Sequence, residues 1–594
     1  MVKEGFTGRS ASLSSSLVMS FWKKKTDPQP NADQSQQVRF SSHLSDGELC
    51  AVDARKMQAA QALGRILGRS VSKSEVPTVA VLGSGGGLRA MISFLGSMSG
   101  FLEAGLLDCV TYLCGVSGST WAISSLYENV EWSSDFSATI SQICSNLEDA
   151  NFDFDDIIDV LKREDHLLKR LEAAAYKEDY SATDLWGTVV SRVLGKEHNQ
   201  KLSKQQEAVK NGHNPYPVYA AINKEYFDCD KKNKHPEIWF EFTPYECGFP
   251  SYGAFVETKM FGSKFEGSEM KEYHPEPSVY LLQGLWGSAM ADMKTLEKYV
   301  IAKLHNLSPS SPPSSPSSPS SPPSSPSSPS SPSKNEPQQQ SEKDIKFQDM
   351  KWEEQCEQPS VCVQVFASQF QWLFTVIFLS VSFSDEEECQ RAIPGTQFFH
   401  MVAKTAEVLT RWKFGTKFNY LYQCEQFKKS EKRKIFSFMG NTASQDPKHV
   451  GHNPFVSLVD AGLEINTAYP LMLRAERKVD VIISLDFSEG DLFETLVHAT
   501  DYAKVNCLPF PPVNINNMLP TDCCVYSDPA TPTVIHMPLA NSANANEMNM
   551  AEFPTKKMKY NKTEIAKLYK EAKNNITRNK TKILEEIKKK MHPL

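Results

Sequence analysis

Two apolar runs, each followed by a glycine-rich turn and then by helical spacing, constrain the fold of this chain more than any other feature. Residues 76–82 run into GSGGGLR at 83–89, and residues 110–114 run into GVSGS at 115–119. A continuously apolar strand that feeds a helix is typical of a parallel sheet covered on both faces. Two such units within about fifty residues predict an α/β fold, with functional groups at the carboxyl ends of the strands.

Ser117 lies in the second turn, between Gly115 and Gly118. A serine on a sharp turn between a strand and a helix projects its Oγ above the sheet, and the helix N-terminus that follows favours developing negative charge. The fifth position of the usual Gly-x-Ser-x-Gly pattern is Ser119, which keeps the side chain small. Because so short a pattern recurs by chance, its position between a strand and a helix is what makes Ser117 a candidate nucleophile.

The first turn, 83–89, has three interpretations. A dinucleotide-binding fingerprint would need a glycine where Leu88 stands, and a Walker loop would need a Gly-Lys-Ser/Thr run, which does not follow. Consecutive glycines can instead let backbone N–H groups converge on one anionic oxygen, as in an oxyanion hole. Arg89 would add a positive charge suited to a phosphate or an oxyanion. The plainer alternative is a tight turn, with Arg89 in a surface ion pair.

Asp460 opens a third motif, DAG at 460–462, directly after the apolar run 455–459. This position predicts that Asp460 lies at the carboxyl end of a buried strand and can face the same edge of the sheet as the other two motifs. A turn or helix-cap role is the alternative for a single aspartate.

Three histidines follow Asp460 and could complete a Ser-Asp-His triad: His498, His536 and His592. An ordinary α/β-hydrolase uses that chain order. His498 lies in an apparent helix, His536 within an apparent strand, and His592 in the basic tail, so none of them follows a strand in a loop. A Ser–Asp dyad, in which Asp460 accepts the proton of Ser117, fits the sequence better.

Charge and cysteine usage exclude other classes. The formal net charge of −7 argues against a nucleic-acid binder. The thirteen cysteines contain no CxxC pair, so we expect free, largely buried thiols and no metal site. The N-terminus lacks the pattern of a secretory signal, which predicts a cytoplasmic protein.

The three motifs together resemble those of the patatin-like lipases and the cytosolic phospholipases A2. Longer strings resemble the group IV cytosolic phospholipase A2 family, in particular its calcium-independent gamma type: GVSGSTWAISSL at 115–126, WFEFTPYECGF at 239–249, GAFVETKMFGSKF at 253–265 and LWGSA at 285–289. The resemblance covers about 75–300 and 395–540.

This resemblance implies a patatin-like catalytic domain with a central mixed or parallel sheet and a Ser-Asp dyad. It implies hydrolysis of glycerophospholipid acyl esters to fatty acid and lysophospholipid, through an acyl-enzyme on Ser117 with Asp460 as base. The backbone amides of Gly86 and Gly87 would hold the oxyanion, and Arg89 would meet the substrate phosphate. No cofactor is implied. Lysophospholipase or transacylase side activity would follow if lysolipid or alcohol competes for the acyl group.

Two departures from the family pattern bear on this expectation. Fewer than eighty residues precede the strand before Gly83, whereas a larger member begins with a calcium-dependent lipid-binding domain, so we expect no calcium requirement. After Asp-Phe-Ser at 486–488 the family can carry an arginine, but Glu489 and Gly490 stand here, which puts a second basic contact with the head group in doubt.

Composition divides the chain into five segments. Residues 308–333 are almost purely serine and proline, a composition that has nothing to bury and stays solvated. We therefore expect a disordered N-terminus at 1–45, a first part of the catalytic domain at 46–305, a disordered Ser/Pro insertion at 306–345, a second part at 346–555, and a Lys-rich tail at 556–594.

The route to a phospholipid membrane surface, the expected partner, stays open in the sequence. The apolar stretch 372–383 is too short to span a bilayer and is either a core segment or a membrane-facing lid. The tail is either a basic amphipathic helix on anionic lipid or a solvated helix or disordered tail. The basic cluster at 428–434 could contribute. We expect peripheral association with intracellular membranes.

Two other functions compete with this expectation. The chain could be a catalytically silent lipid-binding module that keeps the fold, although such a module would not need all three motifs. It could also be a conventional Ser-His-Asp esterase acting on soluble esters.

Overall fold

The computed structural model describes seven stretches of the chain: 37–149, 165–195, 200–225, 238–288, 400–425 without 402, 406, 409, 410 and 412, 448–515, and 521–592. The Ser/Pro insertion at 306–345, the apolar stretch 372–383 and the basic cluster at 428–434 lie outside the described residues, as does 1–36.

Fourteen strands are found in the described stretches. They are β1 (Arg39–Phe40), β2 (Val79–Gly83), β3 (Tyr112–Gly115), β4 (Tyr216–Asn223), β5 (Trp239–Phe242), β6 (Glu246–Phe249), β7 (Ala254–Glu257), β8 (Lys264–Glu266), β9 (Glu269–Glu272), β10 (Thr416–Phe418), β11 (Phe455–Asp460), β12 (Val481–Asp486), β13 (Cys524–Tyr526) and β14 (Thr533–Pro538).

Twelve of these strands form one mixed sheet, in the order β1-β7-β6-β5-β4-β3-β2-β12-β14-β13, while β11 joins β4 and β10 joins β11. In the sheet, the neighbouring strands β4, β3, β2, β12 and β14 are parallel to one another. On the other side of β4, the strands β5, β6, β7 and β1 follow, each antiparallel to its neighbour. The remaining hairpin, β8-β9, stands apart. The predicted α/β fold with a mixed sheet is confirmed. The sheet draws on both sides of the insertion, since β2 pairs with β12 and β4 with β11.

The two strand–turn–helix units that constrained the fold are both present at the centre of this sheet. β2 and β3 are parallel neighbours, and every residue of both is buried. Each begins two or three residues later than its apolar run. The residue just before each strand still bonds to the sheet, since the N–H of Thr111 donates to Val79 over 2.8 Å and the carbonyl of Thr78 accepts from Val481 over 3.2 Å.

The helices lie between and beside these strands. They are α1 (Asp46–Leu67), α2 (Gly87–Glu103), α3 (Gly118–Leu126), α4 (Phe136–Asp149), α5 (Asp165–Ala174), α6 (Ala182–Val193), α7 (Gln206–Val209), α8 (Val279–Trp286), α9 (Lys448–His452), α10 (Tyr469–Met472), α11 (Glu494–Val505), α12 (Lys562–Arg578) and α13 (Lys580–Lys589). None of the helices in the described stretches is both long and apolar enough to cross a membrane.

The Lys-rich tail forms α12 and α13, and α12 packs on α2. Gly96 and Gly100 of α2 make room for this approach, because a Cβ on Gly96 would lie 2.3 Å from the carbonyl oxygen of Tyr569 and one on Gly100 would lie 2.7 Å from Cβ of Ile576. The apolar side chains that suggested a lipid-facing helix are therefore mostly buried in the protein: Ile565, Leu568, Ile576, Ile583 and Ile587. The sequence predicted that the tail either binds lipid or stays solvated. In the structure its apolar face packs instead on the protein, and α2 is its partner.

A buried ionic cluster ties α1 to the sheet and to the turn after α10. Arg477 donates to Glu48 over 2.9 Å and to Glu241 of β5 over 2.8 Å. Arg474 also donates to Glu241, and the Tyr112 hydroxyl donates to Glu48 over 3.1 Å. Because all of these groups are buried, each charge depends on the others for its partner.

The described cysteines are free thiols, as the spacing predicted. Six are buried: Cys109, Cys114, Cys247, Cys424, Cys523 and Cys524.

Candidate active site

Ser117 occupies a strained turn between β3 and α3. Its φ is 51° and its ψ is −122°. For any residue other than glycine, this backbone conformation costs roughly 1–3 kcal/mol. Ser117 is the N-cap residue of α3, yet its side chain makes no capping hydrogen bond, so Oγ is not consumed by the helix. Strain of this kind is the backbone signature of a nucleophile elbow.

Small residues on each side of Ser117 bring the two glycine-rich turns together. A Cβ on Gly118 would lie 1.9 Å from the carbonyl oxygen of Gly87, so α3 starts directly against the start of α2. The hydroxyl of Ser119 donates to the carbonyl of Ser84 over 2.6 Å. Ser119, the departure from the usual pattern, therefore ties the second turn to the first.

The glycine turn lies against Ser117. A Cβ on Gly85 would lie 3.0 Å from Cβ of Ser117. Gly86 has a φ of 142° and Gly87 a φ of 58°, which are left-handed conformations that favour glycine. In the described part of the chain, the N–H groups of Gly86 and Gly87 donate to no protein acceptor. They lie at the N-terminus of α2, where backbone N–H groups lack intrahelical partners.

Asp460 reaches the same place from the opposite direction. Along one edge of β4, Gly115 at the end of β3 pairs with Tyr219, and Asp460 at the end of β11 pairs with Ala221. β3 runs parallel to β4 and β11 runs antiparallel to it, so the carboxyl ends of the two strands meet head to head at Ala220. Two residues of extended chain separate them, which is roughly 7 Å along β4. The predicted common edge is thus observed, although it arises from opposed strands.

Local contacts fix the turn that follows Asp460. The Asp460 carboxylate accepts from the N–H of Gly462 over 2.8 Å, and its own N–H donates to Oγ of Ser288 over 3.0 Å. A Cβ on Gly462 would lie 3.4 Å from Cγ1 of Val116, the residue before Ser117. Asp460 is fully buried, and the DAG turn packs directly on the turn that carries the serine.

Asn466 connects all of these turns and was missed by sequence reasoning. The N–H of Gly85 donates to both its backbone oxygen, over 3.0 Å, and its side-chain oxygen, over 3.1 Å. Its amide nitrogen donates to Ser488 over 2.9 Å, and Ser488 donates to Asp486 over 2.6 Å. A Cβ on Gly462 would lie 3.0 Å from the Asn466 side-chain oxygen. An asparagine in a loop is common for turn reasons alone, so its identity carried no signal.

Arg89 is buried, not in a surface ion pair. It is the third residue of α2 and is 1% exposed. Its Nε donates to the carbonyl of Phe487 over 2.8 Å, and its Nη1 lies 3.4 Å from the Glu489 carboxylate, a long contact. Glu489, which stands just after Asp-Phe-Ser, is therefore the ionic partner of Arg89.

The histidines downstream of Asp460 lie as the sequence predicted. His498 is in α11. His536 is in β14, where its Nε2 lies 2.7 Å from the Leu492 carbonyl oxygen and 3.7 Å from Asp486. His592 lies 3.5 Å from Asp480. None of the three stands in a loop at the carboxyl end of β14 or β12.

The sequence and the fold of this chain are similar to those of known proteins. The lysophospholipase catalytic domain family matches residues 79–300. The chain is 35% identical to human cytosolic phospholipase A2 gamma over 570 residues, covering 93% of this chain and 96% of that protein. It is 33% identical to mouse cytosolic phospholipase A2 zeta, covering 85% of this chain and 54% of that longer protein. Among solved structures, human GIVD cytosolic phospholipase A2 superposes with a TM-score of 0.66 at 24% identity, over 94% of this chain and 69% of that one.

Proposed function

Because the chain belongs to the group IV cytosolic phospholipase A2 family and is a hydrolase, we propose that it cleaves glycerophospholipid acyl esters through an acyl-enzyme on Ser117. The observation that carries the proposal is the meeting of β3 and β11 on one edge of β4, which brings the turns that carry Ser117 and Asp460 together. Fatty acid and lysophospholipid are the products.

In the first half of the proposed reaction, Asp460 takes the proton of Ser117 as Oγ attacks the acyl carbonyl carbon. The N–H groups of Gly86 and Gly87 hold the negative oxygen of the tetrahedral intermediate. That intermediate collapses, the bond to the glycerol oxygen breaks, and the Asp460 carboxyl returns the proton to the departing lysophospholipid. Ser117 then carries the acyl group.

In the second half, water gives a proton to Asp460 and attacks the acyl carbon. Collapse of the second intermediate releases the fatty acid and restores the Ser117 hydroxyl with that proton. A lysophospholipid or alcohol hydroxyl in place of water gives the transacylase reaction, and lysophospholipid as acyl donor gives lysophospholipase activity. Both follow from the same acyl-enzyme, so we include them in the proposal.

We propose that the reaction needs no calcium, because every role in it has a candidate in the chain itself: nucleophile, base and oxyanion donors. The membrane surface enters as the source of substrate. We propose that the protein acts in the cytoplasm and associates peripherally with membranes, since its relatives are named cytosolic phospholipases.

The test is hydrolysis of phospholipid vesicles by wild type, Ser117→Ala, Asp460→Asn and His498→Ala, with and without a calcium chelator. We expect Ser117→Ala to fall to background and Asp460→Asn to lose roughly 1000-fold or more, since members of such a unit fail together. His498→Ala and the exposed-serine control Ser134→Ala should keep wild-type rates, and the chelator should change nothing.

Each competing function has its own outcome in this assay. Activity retained in Ser117→Ala would refute the mechanism. Loss of activity in His498→Ala without unfolding would restore a triad esterase. A wild type that binds vesicles but hydrolyses nothing would indicate the silent lipid-binding module, and inhibition by the chelator would contradict calcium independence.

A further inference from the structure

Arg89 links its own helix, α2, to two other segments beside the glycine turn. Its guanidinium donates four hydrogen bonds: to Phe487 after β12, to Glu489, and to both Phe553 and Thr555 in the segment before α12. The bond to Thr555 Oγ1 is 3.0 Å long. Four of the five N–H groups of an arginine are thus committed to the protein.

Glu489 contacts both Arg89 and Thr555, and its negative charge faces the positive charge of Arg89. Its carboxylate accepts from the N–H of Thr555 over 2.9 Å and from the Thr555 hydroxyl over 3.0 Å, as well as from Arg89. Burial opposes ionisation of Glu489, but the hydrogen bonds from Thr555 and the charge of Arg89 outweigh it and hold its pKa below the ordinary value. The carboxylate of Glu489 thus offsets the positive charge of Arg89.

The same guanidinium packs on the backbone of the glycine turn. A Cβ on Gly86 would lie 2.7 Å from Nη2, 3.2 Å from Cζ and 3.3 Å from Nε of Arg89. Gly86 has a φ of 142°. The arginine therefore fills the space beside Gly86 and prevents this unusual backbone from relaxing toward it.

We propose that Arg89 is a positioning residue: held by Glu489 and Thr555, it supports the backbone of Gly86 and Gly87 and does not bind the substrate phosphate. This inference rests on the proposed function, in which those two N–H groups receive the oxyanion. A shift of the turn by about 1 Å would cost roughly 100-fold in rate for any acyl ester, whatever its head group.

Two substrates distinguish support of the glycine turn by Arg89 from binding of the substrate phosphate by Arg89. One is a phospholipid in detergent micelles, and the other is a p-nitrophenyl ester of the same fatty acid in the same micelles, which carries no phosphate. Arg89→Lys keeps the charge but loses the planar fork of donors. We expect it to lower kcat by roughly 100-fold on both substrates, within a factor of about three of each other, with little change in KM.

Glu489→Gln is the milder second variant. It leaves an acceptor for Thr555 but removes the charge that Arg89 faces, so we expect about a tenfold loss of kcat, again equal on both substrates. Arg65→Lys, on an exposed arginine of α1, is the matched control and should equal wild type. Thermal melting of each variant shows whether it is folded.

The outcomes are distinct. If Arg89→Lys cleaves the phosphate-free ester at the wild-type rate and loses only phospholipid hydrolysis, through KM, Arg89 binds the phosphate and the inference is overturned. If Arg89→Lys does not fold, the same comparison of the two substrates is made with Glu489→Gln. A wild type inactive on both substrates would overturn the proposed function, and this inference with it.

Discussion

Small residues in the turns after β2, β3 and β11 let these three turns pack closely together. Gly118 meets the carbonyl of Gly87, Gly85 meets Ser117, and Gly462 meets Asn466 and Val116. The geometry of the site thus depends on how closely the backbones of these turns approach one another. Hydrogen bonds of Ser119 and Asn466 hold the turns at that distance.

Gly118→Ala tests this packing. Its methyl group would lie 1.9 Å from the Gly87 oxygen, so α3 and the glycine turn must move apart. We expect a loss of at least roughly 100-fold in vesicle hydrolysis and about 1–3 kcal/mol in the free energy of unfolding. Gly490→Ala, where an added Cβ meets nothing within 4 Å, is the control. Near wild-type activity in Gly118→Ala would show that the approach of the two turns is not required.

Elements bring the site together through strand direction. The carboxyl ends of β3 and β11 meet on β4 because one strand is parallel to it and the other antiparallel. On the other edge of β4, Glu241 of β5 pairs with Ala220. Its carboxylate binds Arg474 and Arg477, which lie in the turn that leads from α10 to β12. Burial opposes ionisation of Glu241, but the two arginines outweigh it and hold its pKa below the ordinary 4.5.

Glu241→Gln should therefore be destabilising and should alter the pH dependence of folding. A carboxyl whose folded pKa is depressed contributes stability above its unfolded pKa, and that stability is lost as the pH falls through the folded pKa. We expect wild type to lose stability below about pH 4.5, and Glu241→Gln to lose about 3 kcal/mol at pH 7 with a shallower acid slope.

Urea unfolding from pH 3 to 8 measures both effects. Glu257→Gln, with a side chain 41% exposed and paired with Lys259, is the matched control and should change stability by less than about 1 kcal/mol. Equal acid slopes for wild type and Glu241→Gln would show that Glu241 is not linked to acid unfolding.

At the scale of the whole molecule, the Lys-rich tail packs its apolar side chains into the core through α12 and α13. α12 packs on the glycines of α2, and the glycine turn lies at the N-terminus of α2. After α13, the N–H of His592 donates to the carbonyl of Glu75, just before β2. α12 is thus connected to the candidate active site through α2.

A chain that ends before Lys562 should fail to fold, because the α2 face would lose its cover of Ile565, Leu568 and Ile576. We expect loss of the cooperative thermal transition, with aggregation, as the result of exposing that apolar surface. Lys570→Gln together with Lys580→Gln, on exposed lysines of the same helices, should melt like wild type. A truncated chain with a wild-type melting temperature would show that the tail is dispensable for the fold.

Local patterns were sufficient for some of these features and not for others. The strand before Ser117 was predictable because an apolar run, a glycine turn and helical spacing are contiguous there, and the strand before Asp460 because an apolar run leads directly into Asp-Ala-Gly. The tail was not, since a basic amphipathic helix has the same spacing whether its apolar face meets lipid or another helix. Arg89 was expected to meet the substrate phosphate, with a surface ion pair as the alternative, and no local signal places Glu489, Phe553 and Thr555 around it.

The sequence by itself determined the α/β fold, the positions of the three motifs and the family resemblance, since each of these is written in short contiguous strings. Only the tertiary structure decided how the motifs meet, what Asn466 connects, which partners Arg89 has and where α12 lies. These depend on contacts between segments hundreds of residues apart, whose pairing is set by the competition among all buried surfaces of the molecule, not by any one segment.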